Sequence, residues 1–189
     1  MYYNNLFRAL LVELGQRINR REETKKIIEF VGSGSQKVLE VGCNLGYLSG
    51  LIADKGAVVT AIDANSDSRV LNIARRRING RNITFLQVSG LNMPFENNSF
   101  DCVVLSHVLE HFFDPVFLLN EIRRVMKNDH TGKLIIVVPK EDYLGQNTSD
   151  HKLLFQSEND LLCLMESNNF LLCRSMDIGK AIIASYTVL

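Results

Sequence analysis

Apolar positions along this chain follow two alternating rhythms. Short, β-branched-rich runs recur at VLEV (38–41), AVVTAID (57–63), ITFLQV (83–88), FDCVVLS (100–106) and KLIIVVP (133–139). Runs of this length and continuity read as strands buried on both faces of a sheet. Between them lie stretches with apolar residues three or four apart. These predict a helix from the turn at residue 46 to about Lys55, a second over SRVLNIARRRIN (68–79), a third after FDCVVLS, and a fourth near residues 158–168. Strands alternating with helices imply right-handed βαβ crossovers and a mostly parallel, doubly wound sheet with helices on both faces. The last two runs, LLCRSMDI and AIIASYTVL, are separated only by Gly179 and Lys180. A join that short makes an antiparallel hairpin. The expected fold is therefore α/β, with a seven-stranded mostly parallel sheet ending in an antiparallel C-terminal hairpin. Upstream, residues 6–31 read as two amphipathic helical stretches broken near 15–19, joined by GSGS (32–35) to the first strand. With no repeat or composition shift, residues 1–189 read as one domain that begins with helices at about 1–31.

Composition narrows the class. The 189 residues are 46% apolar and 22% charged, enough to bury one sizeable core. Lys and Arg total 21 against 21 Asp and Glu, so no global field draws the chain to nucleic acid or an anionic membrane. Its apolar runs are far shorter than a membrane span, and its first 30 residues lack the apolar core of a signal peptide. Cys43, Cys102, Cys163 and Cys173 form no CxxC pair and no Cys/His ligand spacing, which argues against a disulfide framework and against a metal site. A reduced, soluble, cytoplasmic enzyme is the expectation.

Candidate chemistry centres on residues 38–50, VLEVGCNLGYLSG, where an apolar strand ends in an acid and a glycine-rich turn. Such a turn brings backbone N–H groups to the carboxyl edge of a parallel sheet, where open α/β folds bind ligands. A dinucleotide fingerprint needs glycines at positions one, three and six, but from Gly42 those positions hold Gly42, Asn44 and Tyr47. What remains is Glu40, Gly42 and Gly46, with Asp63 at the tip of the next strand. An acid there is placed to accept hydrogen bonds from ribose hydroxyls. Asn44 is among the few side chains that tolerate positive φ, so it is expected in the left-handed region.

VLEVGCNLGYLSGLIADKGAVVTAIDAN resembles the cofactor-binding half of the class I S-adenosylmethionine-dependent methyltransferases. LNMPFENNSFDCVVLSHVLEHFFDP resembles their middle segment, EIRRVMKNDHTGKLIIVVP the stretch carrying their fifth strand, and HKLLFQSENDLLCLMESNNF the helix before their terminal hairpin. Together these cover roughly residues 36–170, in the family's order, and the flavour is the small-molecule branch that includes quinone-biosynthesis enzymes. The resemblance implies S-adenosylmethionine as cofactor, S-adenosylhomocysteine as product and a small-molecule methyl acceptor. By position it assigns Glu40 to the cofactor's amino group, Gly42 and Gly46 to the methionine part, and Asp63 to the ribose, with Asn44 and Tyr47 also among the cofactor-binding residues. Ala64 and Asn65 fall beside ribose and adenine. Ser89, Gly90 and Leu91 border the adenine, and Ser106 and His107 stand by the transferable methyl.

The sequence departs from that pattern in three places. Asn44 and Leu45 replace a glycine and a small residue, Ser89 replaces an acid, and Lys127–Gly132 forms a longer polar loop in place of a tight turn. Methyl transfer needs positioning first and a base only where the acceptor must lose a proton, and histidine suits that task near neutrality. Of four histidines, His107 and His151 are the candidate bases. His130 is expected exposed, and His111, ahead of an Asp114-Pro115 helix start, is expected to stabilise its loop. Asp150 reads as turn chemistry, and Tyr2 and Tyr3 as a terminus able to close over the site. The arginines at 75–77 and 81, and the basic residues at 20, 21, 25 and 26, read as solvated faces. After the fourth strand the chain reads SHVLEH, unlike the Pro-Pro-aromatic signature of methyltransferases acting on exocyclic base amines. Two rivals remain open: a cofactor-binding module without turnover and a nicotinamide-dependent oxidoreductase. RNA or protein acceptors also remain open.

Overall fold

Each apolar run forms a strand, and the seven strands make a sheet that is parallel except toward its C-terminal pair, with helices around it. The computed structural model describes residues 6–7, 9–11, 14, 20–34, 36–140 and 151–189. The chain divides into two compact units, Met1–Met93 and Pro94–Leu189.

The first unit carries α1 (Arg21–Val31), β1 (Lys37–Val41), α2 (Tyr47–Ala53), β2 (Val58–Asp63), α3 (Ser68–Arg77) and β3 (Ile83–Gln87). Its strands run parallel in the order β3-β2-β1. Pairing of Val41 with Ile62 and of Asp63 with Gln87 brings all three carboxyl ends to one edge. Val38, Leu39, Ala61 and Ile62 are fully or almost fully buried, as a two-sided parallel sheet requires. α3 starts where Asp67 accepts the backbone N–H of Arg69 at 3.0 Å, an N-cap bond. The α3 arginines lie on an exposed face, as expected, and Arg81 pairs with Asp54 at 2.6 Å.

The second unit carries β4 (Cys102–Ser106), α4 (Val116–Val125), β5 (Lys133–Pro139), α5 (Glu158–Ser167), β6 (Phe170–Asp177) and β7 (Ala181–Val188). Here the order is β4-β5-β7-β6, with β4 parallel to β5 and β7 antiparallel to both its neighbours. α5 opens on a capping box between Ser157 and Asp160, which fits the helix expected near 158–168. α4 begins at Val116, one residue later than the Asp-Pro pair suggested. Pro115 takes the N-cap position, and the Asp114 carboxylate, one residue further out, accepts the Val116 N–H at 3.0 Å. No helix among the described residues is long and apolar enough to cross a membrane.

Candidate functional site

The first unit builds a polar cradle where β1 turns into α2. Gly42, Asn44 and Gly46 have φ of 78°, 50° and 75°, three left-handed residues within five. The turn folds back on β2, because the N–H groups of Gly42 and Cys43 both donate to the Ile62 carbonyl, at 2.8 and 3.0 Å. Asp63 locks it from the side. One carboxylate oxygen accepts the Asn44 N–H at 2.7 Å and the other the Asn65 N–H at 2.8 Å. A carboxylate offers about four lone-pair sites, so about two remain for hydroxyl donors. Burial pushes the Asp63 carboxyl up, against the pull of those two N–H groups.

Glu40 lies on β1 with only 3% of its surface exposed. The Ser49 hydroxyl of α2 donates to its carboxylate. Burial is the largest influence and raises its pKa from 4.5 to about 8; the Ser49 bond opposes the rise and the charge of Asp63 adds to it. Of the other residues assigned to the cofactor, Asn65 is buried, Ala64 exposed, Tyr47 and Gly90 half-buried, and Ser89 and Leu91 exposed. The Ser89 hydroxyl accepts the Leu91 N–H at 3.2 Å, so a local bond shapes the stretch after β3.

Asn44 takes the left-handed conformation expected of it, but its side chain has a second task. Its Nδ2 donates to the Ala9 carbonyl at 3.0 Å, and the Leu6 N–H donates to Asp67 at 3.0 Å. Ala9, Leu45 and Val70 pack together with Leu6 and Ile73. The N-terminal helical residues thus sit on the glycine turn, a role that the residue pattern alone did not show. Asn44 Oδ1 is buried with no hydrogen-bond partner among the described residues, leaving an acceptor beside the turn. Gly46 is constrained by packing as well, since a Cβ there would lie 2.7 Å from Phe85 Cζ and 2.9 Å from Ile78 Cδ1.

In the second unit Ser106 closes β4 and His107 follows at φ 56°, its N–H still donating to the Val137 carbonyl of β5 at 2.9 Å. A 3₁₀ turn, Leu109–His111, points Glu110 inward with 1% of its surface exposed. Its Oε1 lies 3.4 Å from His107 Nδ1, longer than a charge-assisted hydrogen bond, and neither carboxylate oxygen has a hydrogen-bond partner among the described residues. Burial alone would raise the Glu110 carboxyl; the imidazoles of His107 and His111 outweigh it and hold the group below its ordinary value. The Glu110 carbonyl accepts the N–H groups of Lys152 and Leu153 at 2.7 and 3.1 Å. That brings His151 to His111, with ring centroids 5.2 Å apart.

The structure thus gathers Glu40, Gly42, Asn44, Gly46, Asp63 and Asn65 in the first unit, and His107, His111 and His151 around Glu110 in the second. Glu110 carried no signal in the sequence, because a single glutamate in a loop reads as solvated. His130 is exposed, as expected. Asp150, Tyr2 and Tyr3 lie outside the described residues.

Residues 39–136, more than half of the chain, match a family described as a methyltransferase domain. The chain is 32% identical over 135 residues to an uncharacterised protein of Methanocaldococcus jannaschii, covering 71% of this chain and 55% of that one. It is 33% identical over 102 residues to the ubiquinone biosynthesis O-methyltransferase of Pseudomonas fluorescens, covering 53% and 44%. The chain spans about half the length of these curated relatives. Among solved structures, the Burkholderia thailandensis 1,6-didemethyltoxoflavin-N1-methyltransferase, with 1,6-didemethyltoxoflavin and S-adenosylhomocysteine bound, superimposes with a TM-score of 0.72. That match covers 95% of this chain and 86% of that one at 17% identity, a likeness of fold.

Proposed function

The chain belongs to the methyltransferase-domain family and has the fold of the class I S-adenosylmethionine-dependent methyltransferases; from that premise we propose that it methylates an oxygen, nitrogen or carbon of a small-molecule acceptor. The observation that carries the reading is Asp63, which braces the glycine turn through two backbone N–H groups and keeps lone pairs for a ribose diol. The acceptor class rests on relatives named for quinone methylation and on a neighbour bound to a small heterocycle. When bound, S-adenosylmethionine supplies a methyl group already activated on a sulfonium sulfur.

The protein's own part is to bind, orient and take up a proton. Asp63 accepts the ribose hydroxyls, and Glu40 meets the cationic amino group. The backbone of Gly42, Asn44, Gly46 and Tyr47 frames the methionine part. Ala64, Asn65, Ser89, Gly90 and Leu91 border the nucleoside, and Ser106 adds a hydroxyl. His107 accepts the proton that an acceptor O–H or N–H gives up as the new bond to carbon forms.

Asp63→Ala is expected to weaken S-adenosylmethionine binding by about ten- to a hundredfold, the equivalent of about 1.5–3 kcal/mol for bonds to a charged partner. Titration calorimetry reads this, and unchanged affinity would remove Asp63 from the site. The same titration run with a nicotinamide dinucleotide tests the whole reading: saturable binding of the dinucleotide in place of S-adenosylmethionine would favour an oxidoreductase.

Glu40 makes binding depend on pH. Its folded pKa of about 8 lies above the ordinary 4.5, so the fold favours the protonated acid. That contribution to stability is complete below pH 4.5 and is lost as pH rises through about 8. A cationic amino group beside Glu40 favours the carboxylate, so binding near pH 7 should release close to one proton, and affinity should rise as pH approaches 8. Calorimetry in two buffers of different ionisation enthalpy measures the proton count. Identical apparent enthalpies in both would place Glu40 outside the contact.

A further inference from the structure

We propose that Glu110, His111 and His151 form a binding site for a divalent transition metal of the zinc class. One carboxylate oxygen and two imidazole nitrogens lie within 4.8 Å of one another. The set is the two-histidine, one-carboxylate combination that suits Zn²⁺, Fe²⁺ or Co²⁺ and, through its imidazoles, disfavours Mg²⁺ and Ca²⁺. Proximity alone would be weak grounds. The second observation is the state of Glu110: 1% exposed, with both carboxylate oxygens buried and without a hydrogen-bond partner among the described residues. A buried carboxylate whose nearest cationic partner stands 3.4 Å away keeps acceptor capacity that a cation between two imidazoles would fill.

The backbone prepares the site without an ion. Lys152 and Leu153 donate to the Glu110 carbonyl, which fixes the segment bearing His151 against the 3₁₀ turn bearing the other two ligands. Ligand bonds of about 2.0–2.2 Å in a tetrahedron place donor atoms about 3.4 Å apart. Closing from 4.8 Å is within reach of rotamer changes in two half-buried histidines. His107 Nδ1, 3.4 Å from Glu110 Oε1, stands behind the carboxylate as an orienting partner of the kind metal sites use. Three protein ligands leave at least one position for water or for an oxygen donor of a ligand. The ion also cross-links the stretch after β4 to the stretch before α5. This inference concerns metal and not methyl transfer, so its test stands apart from that of the proposed activity.

The test uses the full chain, stripped with a chelator and titrated with Co²⁺ as a visible-absorbing probe, then challenged with Zn²⁺. One equivalent of Co²⁺ is expected to bind with visible bands that Zn²⁺ abolishes. His111→Ala and His151→Ala should each weaken binding by more than the about 10–100-fold that loss of an orienting partner costs, and His107→Ala by that smaller amount. His130→Ala, at the exposed loop, should bind like the wild type. Glu110→Gln tests the carboxylate, and if it fails to fold, the two half-buried histidine variants decide. No saturable Co²⁺ binding, or equal binding by wild type, His111→Ala and His151→Ala, would overturn the site and leave the cluster as a metal-free group of polar side chains.

Discussion

Replacing His107 is expected to lower turnover by about 10²–10⁴-fold while S-adenosylmethionine affinity stays within a few-fold, the pattern for loss of a general base. Three features single out this residue. It follows directly on a parallel strand, at the carboxyl edge where such sheets place functional groups. Its backbone is held at φ 56°, uncommon for histidine, by a hydrogen bond to Val137. Its ring is mostly buried with Nδ1 toward the Glu110 carboxylate, so ring orientation is set by a group that also stabilises the imidazolium. His107→Asn is the better variant, because asparagine tolerates the left-handed backbone and separates chemistry from strain. Turnover within a few-fold of wild type would show that positioning alone drives the reaction. His151, the other histidine the sequence offered as a base, is drawn to His111, and its loss should read out first in metal binding.

Gly132→Ala should destabilise the fold by about 3 kcal/mol or more, at the top of the range for forced overpacking. A Cβ at Gly132 would lie 1.9 Å from the Lys127 carbonyl oxygen, 2.9 Å from the Lys127 carbonyl carbon and 3.0 Å from Met126 Cγ. The obstacle is backbone, and that backbone is held. Lys127 N–H donates to Phe100 at 3.0 Å, Lys133 N–H donates to Asp101 at 2.9 Å, and the Lys127 ammonium pairs with Asp101 at 2.5 Å. At about 2–4 °C per kcal/mol for a chain of this size, the midpoint of thermal unfolding should fall by about 6–12 °C. A midpoint within about a degree of wild type would mean that the loop relaxes freely around the methyl.

The contrast between these residues shows what a sequence can carry. Asp63 and Glu40 were legible because strand length and turn spacing place an acid at a strand tip and another just before a glycine turn. Asn44 was half legible: its left-handed backbone follows from residue type, but its bond to Ala9 joins groups 35 residues apart that no local pattern links. The same limit hid the grouping of Glu110, His111 and His151. Glu110 and His111 are neighbours in sequence, whereas His151 reaches them only because the chain returns to the Glu110 carbonyl. Ligand-spacing rules look for short intervals and found none. Gly132 was passed over because its need is steric, set by a carbonyl five residues earlier, and a polar loop shows no trace of that in composition. Strands were the most legible elements, since continuous apolar runs are what two-sided burial selects.

The central claim is most directly tested by supplying the purified chain with S-adenosylmethionine labelled in its methyl group, together with separate small-molecule, RNA and protein fractions of a cell extract, and following the label by mass spectrometry. The account expects label to enter a small molecule, with S-adenosylhomocysteine formed one for one. Label found only in RNA or protein would contradict the small-molecule reading, and tight binding of S-adenosylmethionine with no S-adenosylhomocysteine released from any fraction would contradict methyl transfer itself.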